Sequence, residues 1–344
     1  MSTHPSTAER DSTKATEPRP PEEPVVGCPH RRGAPWQSGF RWPSVTAMRL
    51  RPYVHTSDFD EVGRLLLDAY RPGGPCCSWL QPRWEYQHFH PLIREVDRSR
   101  FGVAEADDGR VLGIVHNEHD AAVAYLQRRP DDDAVVEPLL DWAEDHLGSW
   151  SPTLRRAVLG LHVPTCDQTL TAALRRRGYT RDPVRTEPSS RLTDIDRLPD
   201  QPDPPGTALR TLAEDGDLAE VHRVLWHGFD NDGPPPPEGT EERRFMQSAP
   251  NFRPDLTVVT ATPTGTYTAL CGVWLVAAHR VAYVEPVATV PDHRGQGHGR
   301  AVVLEALRRA GQAGAEVAWV GSDQPFYRAL GFETRFDAPL WLAP

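Results

Sequence analysis

Two stretches of the chain switch from strand spacing to helix spacing in the same way. Residues 50–70 (LRPYVHTSDFDEVGRLLLDAY) open as a short strand and pass an acidic turn. They then place Val62, Leu65, Leu66 and Ala69 on one face of a helix. Residues 209–229 (LRTLAEDGDLAEVHRVLWHGF) repeat this with Val221, Leu225 and Phe229, and align on the first stretch without a gap. Leu50/Leu209, Arg51/Arg210, Asp58/Asp217, Glu61/Glu220, Val62/Val221, Arg64/Arg223 and Leu66/Leu225 are identical pairs. Further on, ALRRRGYTR (residues 173–181) and FYRALGFET (residues 326–334) each read as a helix closed by glycine, Gly178 or Gly331, and followed by a strand. Glycine just past a helix supplies the left-handed conformation that ends it. Matching ends in matching order over units of about 140 residues point to duplication of one domain.

Between these ends lie paired strands. Residues 101–115 contain an Asp108-Gly109 turn of hairpin type, and residues 256–262 and 267–277 form a second pair. The second unit continues with a strand over 281–290, a glycine-rich turn, a helix over 299–312, a strand over 316–322 and a helix over 325–330. A short final hairpin, FETRF then APLWL, is expected to end the chain. Mixed strands with helices on both faces predict an α/β (α+β) architecture of two tandem mixed sheets. Residues 1–46 carry Pro, Ser, Thr and Glu without periodicity, the composition of a disordered tail, and a start codon placed too far upstream would account for it. Residues 183–206 hold Pro183, Pro188, Pro199, Pro202, Pro204 and Pro205, which read as a surface linker that interrupts any regular element. The folded units are then 47–182 and 207–344.

The 344 residues suffice for two such units. A net charge of −10 disfavours nucleic acid as a partner. No run of about 18 apolar residues offers a membrane span, and the polar N-terminus has no secretory apolar segment. Five cysteines, Cys28, Cys76, Cys77, Cys166 and Cys271, fit a reducing cytoplasm better than a disulfide scaffold. One Lys against 37 Arg suggests a bacterial genome of high GC content. His88, His90, His116 and His119 are irregularly spaced and Cys76-Cys77 lacks ligand spacing, so no metal is expected. Trp79, Trp84, Tyr86 and Phe89 read as core packing, with an acceptor-pocket wall as the alternative. The run 234–237 (PPPP) is rigid and could shape a cleft entrance.

Candidate chemistry concentrates in VATVPDHRGQGHGRAVVLEAL (residues 287–307). A strand runs into Arg294-Gly295-Gln296-Gly297-His298-Gly299-Arg300 and a helix follows. Glycines let backbone N–H groups converge on an anion, and the helix N-terminus adds a positive dipole end, so the turn is suited to phosphates. It lacks the GK[ST] of a Walker loop. Here the sequence resembles the GCN5-related N-acetyltransferase (GNAT) family. That family's motif [RQ]-x-x-G-x-[GA] is met by Arg294, Gly297 and Gly299, and its later Tyr-bearing helix closing on Gly-Phe is met by Tyr327, Gly331 and Phe332. The resemblance is strong over 207–344. Over 48–182 it rests on the internal repeat, and the tandem arrangement is shared with mycothiol synthase.

The resemblance implies acetyl-CoA as cosubstrate, lying between the strands at 281–290 and 316–322. It implies main-chain pairing of the pantetheine arm near Val287, Ala288 and Thr289. Backbone N–H groups of Gly295, Gln296, Gly297, His298, Gly299 and Arg300 would hold the pyrophosphate. Arg294, Ser322 and Phe326 would contribute contacts, although the family commonly has Asn where this chain has Ser322 or Asp323. Tyr327 falls where the family places the acid that protonates the departing thiolate. Glu285, two residues before Val287 and therefore expected on its face, is the first candidate for general base. Tyr283 lies nearer the glutamate position of some members, and Glu285 as a structural carboxylate remains the alternative. The side chain of His298 is expected to face solvent or a phosphate.

The first unit lacks this equipment. No glycine occurs between Ile114 and Leu147, and Asp131, Asp132 and Asp133 stand where a pyrophosphate would sit. Carboxylates there satisfy the helix dipole themselves and repel phosphate by about 1–4 kcal/mol per charge pair near a surface. Aligning Gly178 with Gly331 puts Leu174 opposite Tyr327. The first unit is expected to be degenerate, shaping the acceptor cleft or a homodimer. The reading is an acetyl-CoA-dependent N-acetyltransferase acting on the amine of a small molecule or peptide by direct attack, because no Cys sits beside a plausible base. The alternatives are an acyl-CoA sensor without turnover and a mycothiol-synthase-like enzyme.

Overall fold

In the computed structural model, which describes residues 48–71, 78–151 and 154–344, the two halves lay down the same elements in the same order. The first half runs β1 (Met48–Pro52), α1 (His55–Ala69), α2 (Gln81–Phe89), β2 (Gly102–Ala106), β3 (Val111–Asn117), β4 (Val123–Arg128) and α3 (Val136–His146). It continues through β5 (Ser149–Ser151), β6 (Arg156–Val158), β7 (Gly160–His162), α4 (Gln168–Arg176) and β8 (Thr180–Thr193). The second half runs β9 (Ala208–Thr211), α5 (Leu218–Gly228), α6 (Gly239–Gln247), β10 (Val258–Ala261), β11 (Tyr267–Val276) and β12 (Val281–Thr289). It closes with α7 (His298–Gln312), β13 (Val317–Val320), α8 (Pro325–Ala329) and β14 (Glu333–Leu342). The expected tail, Cys28, Cys76 and Cys77 lie outside the described residues.

Twelve strands join in one sheet, in the order β1-β2-β3-β4-β7-β14-β8-β13-β12-β11-β10-β9, and β5-β6 stand apart as a small hairpin. The order is palindromic. β1-β2-β3-β4-β7 at one end answers β9-β10-β11-β12-β13 at the other, as a duplicated domain requires. The two strands in the middle have changed places: β14, last in the chain, pairs with β7 of the first half, and β8 pairs with β13 of the second. Between them β8 and β14 pair antiparallel, Thr180 opposite Leu342 and Arg191 opposite Glu333. Each half is thus completed by the other's last strand.

This exchange corrects two expectations. β14 is one continuous strand, not a hairpin: it pairs with β8 from Glu333 to Leu342, and its last residues, Leu340–Leu342, also pair with β7 on the other edge. Residues 183–193 belong to β8 and not to a linker. Pro183 lies in a bulge where Asp182 accepts hydrogen bonds from the N–H groups of Val184 and Arg185 at 2.9 and 2.8 Å. Pro188 precedes Ser190, the first β8 residue paired with β13. A strand tolerates proline where the ladder asks nothing of its missing N–H.

Helices cover both faces. α1 and α3 close one apolar core over β2–β4, in which Val62, Leu65, Leu66, Ile114, Leu139 and Leu140 are buried. α7 closes a second with Val302, Val303, Ala306 and Leu307 against Val273, Ala282 and Val284. α2 belongs to the first half but packs on the second: Tyr86 and Phe89 meet the cluster of Trp274, Val281, Tyr283 and Trp319. Buried Glu85 fastens it there, accepting from Asn251 N and Nδ2 at 2.6 and 2.7 Å. The two halves therefore share a wall, and the site described next lies behind it.

Candidate active site

β12 and β13 run parallel and pair only over Val281–Val317, Ala282–Ala318 and Tyr283–Trp319. Past Tyr283 the strands part. On its other edge β12 stays paired with β11 as far as Thr289, so the main-chain groups of Val284 to Thr289 that face the opening have no strand partner. Such a free edge can take an extended ligand as a further strand. The gap continues into a cavity of about 1120 Å³ that reaches from Arg300 and Gly297 past Tyr327 and Glu285 to residues of the first half.

The turn at the mouth has the geometry that its glycines suggest. Gly295 and Gly297 hold φ of +74° and +94°, and Gly297 caps α7. A Cβ on Gly299 would lie 2.8 Å from Thr289 Oγ1 and 3.5 Å from Phe326, so the strand end and α8 can approach the helix only because glycine is there. Thr289, Arg294, Gly295, Gly297, Gly299, Arg300, Ser322 and Phe326 all line the cavity. Arg294 spends its guanidinium on the turn itself, donating to the carbonyls of Thr289 (3.1 Å) and Gly228 (2.9 Å) and pairing with Asp230 at 2.8 Å. Gln296 likewise donates to Asp292 O at 2.7 Å, and Ser322 Oγ accepts from Gln324 N at 3.3 Å. His298 departs from expectation: its ring is buried under the turn, Nδ1 2.9 Å from Thr268 Oγ1, and faces neither solvent nor a phosphate. The buried Thr268 hydroxyl gives the ring a partner there, and the His293 ring stands against it at 5.0 Å.

Deeper in, the face assigned to Glu285 is corrected. Cys271 pairs with Val287 but Val273 pairs with Val284, so Glu285 and Pro286 together oppose Gly272. This β-bulge inserts one residue and turns the side chains after it to the other face. Val287 therefore packs with Val284 on the α7 side, whereas Glu285 shares its face and a side-chain hydrogen bond with Tyr283. Gly272 makes room, since a Cβ there would stand 2.6 Å from Glu285 O, and Trp274 Nε1 donates to that carbonyl at 2.9 Å. Burial pushes the Glu285 carboxyl up to about 7, with Glu118 and Glu187 adding to the rise and Arg83 and Tyr283 opposing it.

Tyr327, on α8, is buried against Phe332 and Phe326, and its ring reaches the cavity. Burial, then the neighbouring Cys271 and Glu285, push its hydroxyl far above the ordinary phenol range, so it keeps its proton. Cys271 is fully buried and its thiol is pushed up by burial alone, which makes it a packing residue and a poor nucleophile.

The first half supplies residues that its degeneracy had concealed. Arg83 donates to Glu118 (2.7 and 3.2 Å) and to Glu187 (2.8 and 3.2 Å), lies 4.0 Å over the Trp79 ring, and faces the cavity together with Tyr86, Tyr125 and His162. The Tyr125 hydroxyl donates to Glu187 at 2.5 Å. Of the aromatic residues 79–89, Trp79 and Tyr86 line the cavity while Trp84 is buried in the core. Nothing in the sequence joins Arg83, Glu118 and Glu187, which lie far apart along the chain; they meet where α2, the residue after β3 and β8 come together.

The first half's own cleft is shut. β4 and β7 part after Ala124, as β12 and β13 part after Tyr283. Ser78 Oγ then pairs with Arg128 N (2.9 Å) and O (2.6 Å), and Trp79 N donates to Gln127 Oε1 at 2.8 Å. At the end of β4 the buried guanidinium of Arg128 is held by Asp167 at 2.8 Å and Asp133 at 3.1 Å. Among the described residues no group of three or more His, Cys, Asp or Glu is placed to hold a metal ion, and no helix is long and apolar enough to cross a membrane.

Residues 218–332 match the acetyltransferase (GNAT) family. Solved structures agree on the fold over most of the chain. A GCN5-related N-acetyltransferase from Sphaerobacter thermophilus superposes with a TM-score of 0.55 at 16% identity, covering 86% of this chain and 95% of the other. A tandem GNAT protein from the clavulanic acid biosynthesis pathway gives 0.56 at 16% identity, covering 86% and 98%. No curated protein matches the sequence. The tandem GNAT fold and the α/β sheet flanked by helices therefore stand as expected from the sequence.

Proposed function

We propose that the protein is an acetyl-CoA-dependent N-acetyltransferase whose GNAT domain transfers the acetyl group directly to an amine. The observation that carries this reading is the parting of β12 and β13 at Tyr283 and Trp319, which opens one cavity onto both Glu285 and Tyr327. The cleft suits the cosubstrate: unpaired main chain from Val284 to Thr289 could hold an extended amide-bearing arm, and the α7 N-terminus beyond Gly297 could hold a diphosphate. Gly299 lets Thr289 and Phe326 approach the start of α7 at one end of the cleft. When bound, acetyl-CoA supplies an activated carbonyl and a thiolate leaving group.

This chain's own residues then manage two protons. A Glu285 carboxyl near 7 is an effective acceptor for the proton of an ammonium group at neutral pH, and it is reached from the same cavity. Tyr327 holds a proton on its hydroxyl beside the place where the thiolate departs and can release it there. The buried rings of Tyr283 and Trp319 line the cavity beside Glu285 and lower the local polarity there, which strengthens such interactions.

A thiol-release assay with acetyl-CoA across an amine panel tests this. Amine-dependent release is expected, with kcat lowered by about 10²-fold or more in Tyr327→Phe, the range for loss of a general acid. If no amine is turned over and titration of acetyl-CoA gives no heat, the reading is wrong.

A further inference from the structure

An amine that reaches Glu285 must leave the remainder of its molecule in the part of the cavity walled by the first half, because the other side is the cleft between β12 and β13. That wall is chemically one-sided. Glu118, Glu187 and Glu285 contribute three carboxyl groups against the single guanidinium of Arg83 and the imidazoles of His119 and His162, the latter 3.8 Å from Glu187. Arg83 has committed its donors: Nε to Glu118, Nη1 to Glu187 and Nη2 to both. It has little left with which to receive an anion. The carboxylates are not exhausted by this pairing, since each has about four lone-pair positions and both side chains remain partly open to the cavity, 14% and 30% exposed. Such a wall accepts hydrogen bonds and positive charge, and its donors beside Arg83 are the imidazoles of His119 and His162 and the tyrosine hydroxyls. Aromatic faces of Trp79, Tyr86, Tyr125 and Tyr283 complete it, surfaces that attract cations.

We infer that the degenerate half is the acceptor-recognition half, and that Glu118 and Glu187 bind a second cationic group of a di- or polyamine acceptor while its reacting amine meets Glu285. This rests on the acetyltransferase reading and names the substrate class. Arg83 acts as a positioning residue, holding the two carboxylates side by side. Tyr125 orients Glu187 through its hydroxyl. No covalent step is added: the second ammonium is held and does not react.

Three probes of nearly equal length separate the possibilities: 1,4-diaminobutane, n-butylamine and 4-aminobutanoate. Their binding to the full chain saturated with CoA is measured by calorimetry. The diamine is expected to bind at least tenfold tighter than the monoamine, and the amino acid more weakly than either. In Glu118→Gln and Glu187→Gln the diamine-to-monoamine ratio is expected to fall at least fivefold. CoA titration of each variant establishes that it is folded and that the acyl-CoA cleft is intact. Equal binding of the three probes, tighter binding of 4-aminobutanoate, or no binding of any probe at millimolar concentration overturns the inference. So does an unchanged ratio in folded variants. Absence of CoA binding in the wild-type chain would instead overturn the acetyltransferase reading on which the inference rests.

Discussion

Arg128 donates to Asp167 at 2.8 Å with both side chains 1% exposed, at the point of the first half where the second half places its glycine turn. The halves thus solve the same local problem in opposite ways. Each has a helix start facing the splayed end of a strand pair. In the second half the turn before α7 lines the cavity, and in the first the Arg128 guanidinium pairs with Asp133 ahead of α3. Removing one partner of a buried pair leaves an uncompensated charge. Arg128→Ala is therefore expected to cost about 3–5 kcal/mol in urea unfolding. It is not expected to create a second acyl-CoA site, because the Ser78 and Trp79 contacts still close the edge of β4. Calorimetry should give one acetyl-CoA per chain for the wild type; two equivalent sites would contradict the closed cleft.

Gly297 permits a direct test of the turn. Its φ of +94° lies where an L side chain is strained by about 1–2 kcal/mol. No atom stands within 4 Å of a Cβ placed there, so Gly297→Ala should act through the backbone and not by a clash. Destabilisation of about 1–2 kcal/mol in thermal or urea melts is expected, together with at least tenfold weaker acetyl-CoA binding as the N–H groups turn away. Unaltered binding in a variant that is destabilised would mean that these amides do not hold the ligand.

The position of Glu285 ties rate and stability to pH. Its carboxyl titrates near 7 in the folded chain against about 4.5 when unfolded. Between those values the native state holds a proton that the unfolded chain has released, so stability falls as pH rises through this window. The loss attributable to this group is on the order of 2–3 kcal/mol, and Glu285→Gln should remove it. Urea melts at pH 5 and pH 8 measure the difference. The rate should show an acid limb near 7, because the protonated carboxyl cannot accept a proton. Glu118 raises that titration, so Glu118→Gln should move the limb to lower pH. A limb that stays in place would remove Glu285 from the base role.

Much of the fold could be read from the chain because its signals were local. The repeat at Leu50 and Leu209 and the closing glycines Gly178 and Gly331, both now at positive φ, mark the two units. The run from Arg294 to Gly299 marks the turn, since glycine at such an angle is a local demand. The Asp108-Gly109 hairpin between β2 and β3 is of the same kind. What escaped depends on contacts distant in sequence. The face of Glu285 was misjudged because alternation assumes an unbroken ladder, and the extra residue shows only in the pairing with β11. Pro183 and Pro188 argued for a linker because strand ladders usually exclude proline, whereas here a bulge and an unpaired edge absorb them. Arg83, Glu118 and Glu187 carry no motif, and neither does Arg128. Their roles follow from which partner each finds.

The exchanged strands make the two halves inseparable, and this has a measurable consequence. A fragment of residues 207–344 would lack β8, leaving the Val317–Val320 edge of β13 bare and β14 without either of its neighbours. A fragment of residues 48–206 would lack β14, so that β7 and β8 would lose the strand between them. Exposed edges of this kind template association between chains. Neither fragment alone is expected to give a cooperative unfolding transition, and both should aggregate. Mixed during refolding, they should recover a single transition and one acetyl-CoA site, because β8 and β14 then pair across the cut as they do in the intact chain. Independent cooperative folding of residues 207–344, with acetyl-CoA bound as tightly as in the full chain, would show that the exchange contributes little and that the acceptor wall alone requires the first half.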